Sequence, residues 1–211
     1  RIQPGVVHAQ LNRVLAPRGL LFGPDPAMSS VTTMGGVLAI NGAGSHWLRY
    51  GSARERVESL QMVLADGTVI EAGRHAVDEP SVGDGEIAND VAGSASPARL
   101  GLLVGELARL IGRESAVIRA HRPRSLVNRS GYHLYDILQG GQLDLARMLV
   151  GSEGTLGLIT EATVRLDPLP PHRGVALLFC DRLEAAARVA LEAAKLGMSA
   201  CDLLDRRLLS I

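Results

Sequence analysis

The chain has 211 residues, 46% of them hydrophobic and 21% charged, enough to bury a sizeable core in one or two globular domains without a disulfide or metal staple. Its 22 basic and 22 acidic residues cancel, so no overall field draws it to nucleic acid or to an anionic membrane. No apolar run approaches the ~20 residues of a membrane span, two cysteines are too few for a disulfide framework or a four-thiolate metal site, and aromatics at 3% are too scarce to build stacking platforms for single strands.

In chain order, residues 1–3 read as the end of a strand, broken by Pro4-Gly5. Val7, Leu11, Val14 and Leu15 then repeat at helical spacing until Pro17 and Gly19 stop the helix. Residues 20–26 form a Pro-punctuated extended loop. A short helix is predicted from Thr33 to Asn41-Gly42, followed by an irregular Gly-rich stretch to Gly51. The clearest local element is a hairpin: a strand over 57–65, Asp66-Gly67 as a two-residue turn with both residues at positive φ, and a return strand over 68–71. Residues 75–97 have no periodicity and read as a flexible surface insertion.

A helix over 97–119 carries Leu100, Leu103, Leu107, Leu110 and Ile111 on one face, and a basic loop over 119–135 follows it. A short helix over 143–150 and a strand over 156–166 lead to Pro168-Leu169-Pro170, the best domain boundary in the chain. Beyond it come a strand over 175–180, a helix with Leu183, Ala187, Ala190, Leu191 and Ala194 on one face, and a strand over 198–203. A helix start at Asp205 completes the β-α-β opening of a second α+β domain. The chain begins at Arg1 rather than Met and stops in a helix-like stretch at Ile211, so it reads as part of a longer protein.

Chemistry is concentrated in the placement of the 24 glycines. Three stretches bring bare backbone amides together: Pro24-Asp25-Pro26 through Gly35-Gly36, Asn41-Gly42-Ala43-Gly44, and Gly151-Ser152-Glu153-Gly154-Thr155-Leu156-Gly157. Clustered N–H groups in glycine turns and at helix N-termini bind phosphate, because the absent Cβ lets the backbone approach and its partial positive charge faces the anion. Thr32 and Thr33 would add hydroxyls beside Gly35-Gly36. Taken singly, each stretch reads as turns and caps. Standard nucleotide motifs fail: Gly42-Ala43-Gly44 lacks the third glycine of a dinucleotide fingerprint, and the stretch over 151–157 lacks a P-loop's Lys-Ser/Thr. No Gly-x-Ser-x-Gly elbow supplies a hydrolase nucleophile.

The ordered set of motifs resembles the FAD-linked oxidases of the PCMH, or vanillyl-alcohol-oxidase, type. Within that family it resembles the branch with glycolate oxidase, D-lactate dehydrogenase and D-2-hydroxyglutarate dehydrogenase. The residues that carry it are Gln3-Pro4-Gly5-Val6, Phe22-Gly23-Pro24-Asp25-Pro26, Thr33-Met34-Gly35-Gly36, Asn41-Gly42-Ala43-Gly44, Arg49-Tyr50-Gly51, Val63-Leu64-Ala65-Asp66-Gly67-Thr68 and the stretch from Gly151 through Gly157 to Leu158-Ile159-Thr160. The resemblance implies an α+β fold: the larger part of a PCMH-type FAD-binding domain over 1–168, without its N-terminal subdomain, and over 169–211 the start of a ferredoxin-like cap domain.

The same resemblance implies noncovalent FAD as cofactor. Pro24, Asp25, Thr32, Thr33, Met34, Gly35 and Gly36 would wrap the diphosphate and the flavin edge, and Asn41, Gly42, Ala43 and Gly44 the ribityl and phosphate region. Glu153, Gly154, Thr155, Leu156, Gly157, Leu158 and Ile159 would line the adenosine portion. These donors should gather at one pocket. The implied reaction is oxidation of a small D-2-hydroxy acid to the 2-oxo acid, with hydride passing from C2 to the flavin and electrons leaving to a carrier or an iron–sulfur domain or subunit. The catalytic residues are expected outside this chain, in the cap domain. A cytoplasmic location is expected, peripheral to the inner membrane through such a partner.

Other residues carry weaker signals. Six histidines lack metal-ligand spacing, so no metal is expected. His46 lies in the presumed flavin-facing loop, and the Glu153 carboxylate is expected to order its glycine loop through backbone N–H bonds. Arg119, His121, Arg122, Arg124 and Arg129 form a basic cluster read as a solvated loop, and Asn128-Arg129-Ser130-Gly131-Tyr132 resembles a stretch of the same family near the substrate side. Cys180 and Cys201 are expected to be buried free thiols. A rival reading is a non-catalytic binding module of the same fold without flavin, and a nucleic-acid module built on the basic loop ranks last.

Overall fold

The computed structural model describes residues 1–77, 97–125 and 127–208. Helix α1 (His8–Leu15) ends where Pro17 and Gly19 stop it, and β1 (Leu20–Leu21) follows. Its buried residues are His8 and Leu15, whereas Val14, expected on the apolar face, is exposed. His8 takes an inward place because its ring reaches Pro24 O at 2.8 Å. Helix α2 (Met34–Ala39) starts at Thr33, whose Oγ1 accepts from Gly36 N at 3.3 Å, an N-cap that satisfies one orphan donor. The stretch expected to be irregular contains one helical turn, α3 (Trp47–Tyr50), where Arg49 N and Tyr50 N both donate to His46 O.

Strands β2 (Val57–Val63) and β3 (Val69–Ala72) form the predicted hairpin, but not with the predicted turn. Gly67 is left-handed at φ +84° while Asp66 is not, Gly67 N donates to Leu64 O at 3.0 Å, and Leu64 N to Thr68 O at 2.8 Å. This is a three-residue loop, a type I turn closed by a left-handed glycine. Asp66 prefers it because its Oδ1 accepts from Thr68 N at 2.9 Å. Of the insertion expected over 75–97, residues 78–96 lie outside the described residues, while β4 (Arg74–Ala76) is a strand rather than a loop.

The single helix expected over 97–119 is two, α4 (Pro97–Arg113) and α5 (Ser115–Ala120), parted where Glu114 leaves helical geometry at ψ 8°. Its buried face is Val104, Ala108 and Ile111, and Leu110 is exposed. Strands β5 (Leu138–Gln139) and β6 (Gln142–Asp144) form a hairpin around Gly140 and Gly141, both left-handed. Helix α6 (Leu145–Leu149) follows, its N-terminus capped by Asp144 Oδ1 accepting from Arg147 N at 2.9 Å. Strands β7 (Leu158–Val164) and β8 (Asp167–Pro168) and helix α7 (Leu183–Lys195) complete the order.

Two compact units emerge. The first draws on Arg1–Val6, Thr33–Gly42 and Ala53–Arg165, the second on Val7–Thr32, Ala43–Ser52 and Leu166–Ile211. In the first, two three-stranded antiparallel sheets run β3-β2-β7 and β4-β6-β5. Leu60 and Met62 of β2 alternate inward, and their partners Ala72, Ile70 and Ala162 supply the same core. Between β2 and β7 the register shifts at Gln61/Met62, leaving Thr160 bulged; its Oγ1 bonds Gln61 Oε1 at 2.9 Å. Ile2 pairs with Ala162 beside β7. In the second unit β1 pairs antiparallel with β8.

Residues 175–180 and 198–203 form no strand, contrary to expectation. Neither stretch pairs with any described strand, and a strand without a hydrogen-bonded neighbour has nothing to fix it. Cys180 and Cys201 are exposed free thiols, not buried ones, because the stretches that were to bury them do not form a sheet. Among the described residues no helix is long and apolar enough to cross a membrane.

Replacing Gly67 by Ala should cost about 1 kcal/mol in chemical denaturation, the penalty for a Cβ in left-handed backbone. Asp66→Gly should also destabilise, because it removes the bond to Thr68 N; in a turn with both residues at positive φ it would be harmless.

Candidate functional site

In the first unit, two of the glycine-rich stretches meet. Gly151 N donates to Leu38 O at 3.0 Å and Glu153 N to Ala39 O at 2.9 Å, so the turn over 151–157 is sewn to the C-terminal end of α2. Both Glu153 and Asn41 are left-handed, at φ +53° and +51°. Glu153 acts through its backbone; its exposed carboxylate receives no N–H bond from the described residues, contrary to expectation. Asn41 is 1% exposed, and its Oδ1 accepts from Arg54 N at 2.9 Å. Arg54, itself only 6% exposed, donates through Nε to Arg147 O at 3.0 Å and through Nη2 to Val150 O at 2.6 Å. These carbonyls sit at the C-terminal end of α6, where helices leave acceptors unsatisfied and favour a cation. Burial lowers the Arg54 pKa.

The amides at the start of α2 are spent inside the protein. Met34 N donates to Val6 O and Gly35 N to Pro4 O, each at 2.8 Å, and Gly36 N to Thr33 Oγ1. Gly35 permits this approach, since a Cβ there would fall 2.6 Å from Pro4 Cβ. By contrast, the amides of Gly154 and Leu156 have no partner among the described residues, and the space around Gly154 is open. Thr155 Oγ1 donates to Ser152 O at 2.6 Å, so the hydroxyl of Tyr132, 2.7 Å away, donates to it. That bond ties the loop carrying Asn128 and Gly131 to the turn. Gly157 leads into β7, where exposed Leu158 and half-buried Ile159 lie opposite Val63 and Met62; Gly42 N donates to Val37 O at 2.8 Å.

In the second unit, Pro24 and Asp25 pack on Ala43 and Gly44. Asp25 N donates to Ala43 O at 2.9 Å, and Gly44, at φ +79°, lies so close to Asp25 O that a Cβ would stand 1.7 Å from it. Only glycine fits. The Asp25 carboxylate accepts from His46 N at 3.1 Å and faces His46 Nδ1 at 2.5 Å, so His46 braces this crossing. The amides of buried Ala43 and of Gly44 have no partner among the described residues. Thr32 is turned to its own loop, its Oγ1 donating to Met28 O at 2.8 Å.

The basic cluster is exposed as expected, with Arg122 held by Asp136 at 2.7 Å and stacked 5.1 Å over Tyr135. What sequence reading missed is Arg54 and His133. Arg54 sits in Ala53-Arg54-Glu55-Arg56, which looks like any solvated charged run. His133 is 7% exposed, and burial, with Arg54 and Arg147 adding to it, lowers its pKa to about 4.

Comparison with known proteins places this geometry in a class. Residues 1–73 match the family described as FAD binding domain. Over these residues the chain is similar to that family, and along its length it is similar to proteins named as a glycolate oxidase subunit, a D-lactate dehydrogenase and a D-2-hydroxyglutarate dehydrogenase. It is 29% identical over 207 residues to glycolate oxidase subunit GlcD of Bacillus subtilis, covering 97% of this chain and 31% of that protein. It is 30% identical over 206 residues to the mitochondrial D-lactate dehydrogenase [cytochrome] of Arabidopsis thaliana, covering 97% of this chain and 25% of the relative. It is 29% identical over 213 residues to D-2-hydroxyglutarate dehydrogenase of Haemophilus influenzae, covering 100% of this chain and 20% of the relative. The chain thus spans less than a third of the length of each.

Asn41→Ala should cost about 2 kcal/mol, from a buried Arg54 N–H without acceptor plus left-handed strain; Asn41→Asp keeps the acceptor and should recover most of it in urea unfolding. Because His133 titrates near 4 when folded and near 6.5 when unfolded, the unfolded state takes the proton first. Stability should be full above about pH 6.5 and fall by about 3 kcal/mol toward pH 4. His8, also lowered by burial, acts in the same direction. His133→Leu should flatten that slope.

Proposed function

We propose that this chain is the larger part of the FAD-binding region of an enzyme that oxidises a small D-2-hydroxy acid, of the D-lactate, glycolate or D-2-hydroxyglutarate class, to the 2-oxo acid. The observation that carries it is the set of unspent amides: Ala43 and Gly44 in the second unit, Gly154 and Leu156 in the first. Ala43 and Gly44 fall within the residues that match the FAD binding domain family, and unpaired N–H groups on glycine-rich backbone suit an anionic cofactor such as a dinucleotide. The residues present therefore fit FAD.

In this reading Ala43 and Gly44 hold a phosphate from main-chain donors, with Pro24 and Asp25 fixing their conformation and His46 bracing Asp25. Gly154 and Leu156, with Glu153, Thr155, Gly157, Leu158 and Ile159, line the adenosine end. Met34 and Gly35 act indirectly, by anchoring residues 4–6, and Gly36 by donating to Thr33, which caps their helix; Asn41 and Gly42 set the backbone that enters Ala43. When bound, FAD supplies the hydride acceptor, and the protein supplies position. The groups that take the hydroxyl proton and hold the carboxylate belong to a cap domain. Residues 169–211 open it, a reading that α7 supports alone among the elements expected there, with the boundary near Pro168. An iron–sulfur domain or subunit as electron acceptor and a cytoplasmic location belong to the same proposal.

Adding FAD to the purified chain should raise its unfolding midpoint, by about 2.7 kcal/mol of apparent stability at a hundredfold excess over Kd, and the protein should retain a visible flavin spectrum on gel filtration. Gly44→Ala should abolish both. A colourless chain with an unmoved midpoint, at any FAD concentration, would favour the flavin-free binding module instead.

A further inference from the structure

Around His133 the first unit gathers cations, Arg54, Arg147 and Arg122, that its carboxylates do not fully answer. Arg54 and His133 are buried, and Arg147 Nε and both ring nitrogens of His133 are shut from solvent with no hydrogen-bond partner. Among acids, Glu55 acts on Arg54 and Asp136 on His133, but Asp136 is already engaged by Arg122 at 2.7 Å. Neither Arg54 nor Arg147 forms an ion pair with a described residue. The carbonyls of Arg147 and Val150 satisfy part of Arg54. They leave Arg147 Nε and His133 unanswered, in a place where an unpaired buried polar group or charge is costly.

A water molecule could accept or donate one of these hydrogen bonds, but it would leave the charge uncompensated. One oxyanion answers both deficits. We propose that Arg147, His133 and Arg54 form a binding site for a small oxyanion, a phosphate or a carboxylate group, beside the turn at Gly151. The turn is close enough that a Cβ on Gly151 would fall 2.6 Å from Arg54 Nη2. Anion oxygens would accept from Arg147 Nε–H and from a His133 ring N–H, with Arg54 supplying field rather than a new bond. Tyr135, its ring 4.2 Å from His133, flanks the site. Repulsion from Arg54 and Arg147 helps keep His133 neutral. An anion between them would reverse that balance, so binding should take up a proton.

The site does not depend on the flavin reading, and its test needs no flavin. The 211-residue chain is titrated calorimetrically near pH 7 with sodium phosphate and, separately, with sodium D-lactate, at constant ionic strength set by chloride, in two buffers of different ionisation enthalpy. Saturable binding of either anion with proton uptake, weakened at least tenfold by Arg147→Met and losing its proton uptake in His133→Leu, is the expected result. Phosphate alone would identify the site as one for phosphate groups; lactate alone would identify it as one for carboxylates. No saturable binding of either to the folded wild-type chain overturns the proposal, as does binding that both variants leave unchanged. Should a variant fail to fold, the wild-type titration with its proton count decides. Failure of FAD to bind, with anion binding intact, would count against the proposed function and not against this site.

Discussion

A guanidinium that finds its partners in backbone carbonyls rather than in a carboxylate organises the first unit. Arg54 reaches the last carbonyls of α6 with its side chain, while its own N–H is taken by the side chain of Asn41. Asn41 can do this because it tolerates left-handed backbone, which turns the chain at the end of α2. One buried residue thereby couples the exit of one helix to the exit of another, and the turn over 151–157 is laid between them by Gly151 and Glu153. The arrangement is rigid because each donor has a single acceptor, and a change at any of them orphans another.

This economy separates the glycines into two kinds. Some serve the fold: Gly35 lets α2 touch Pro4, and Gly44 lets two loops cross at van der Waals contact. Others leave donors exposed for something else, as at Gly154. A glycine-rich sequence does not say which kind is which, because both leave the same letter at the same sort of place. Hydrogen-bond accounting does, and it moves the available donors away from the start of α2 and onto the turns at 43–44 and 154–156.

Local signals were legible where they are enforced locally. The Thr33 cap, the β2–β3 pairing and the helical periodicity of α7 follow from three or four neighbouring residues, and the structure has them. The turn type at Asp66-Gly67 was misread because an aspartate can satisfy the turn through its side chain instead of through positive φ. The Gly140-Gly141 hairpin carried a readable two-glycine signal that the weak strands on either side concealed. The buried roles of Arg54 and His133 were illegible, since nothing in a linear string distinguishes an arginine that caps a distant helix from one that faces water. The pattern of apolar residues at 175–180 reads as a strand in isolation; pairing is a property of two segments, and its partner is absent from the described residues.

Residues 1–6 are part of the architecture of the first unit. Ile2 extends the edge of β7, and the carbonyls of Pro4 and Val6 quench the first donors of α2. Trimming the protein to begin at α1 would unseat α2, releasing two strongly polar N–H groups next to apolar packing. Any boundary drawn for expression or for dissection should therefore start upstream of Ile2, since a shorter piece loses both a sheet edge and the anchor of α2.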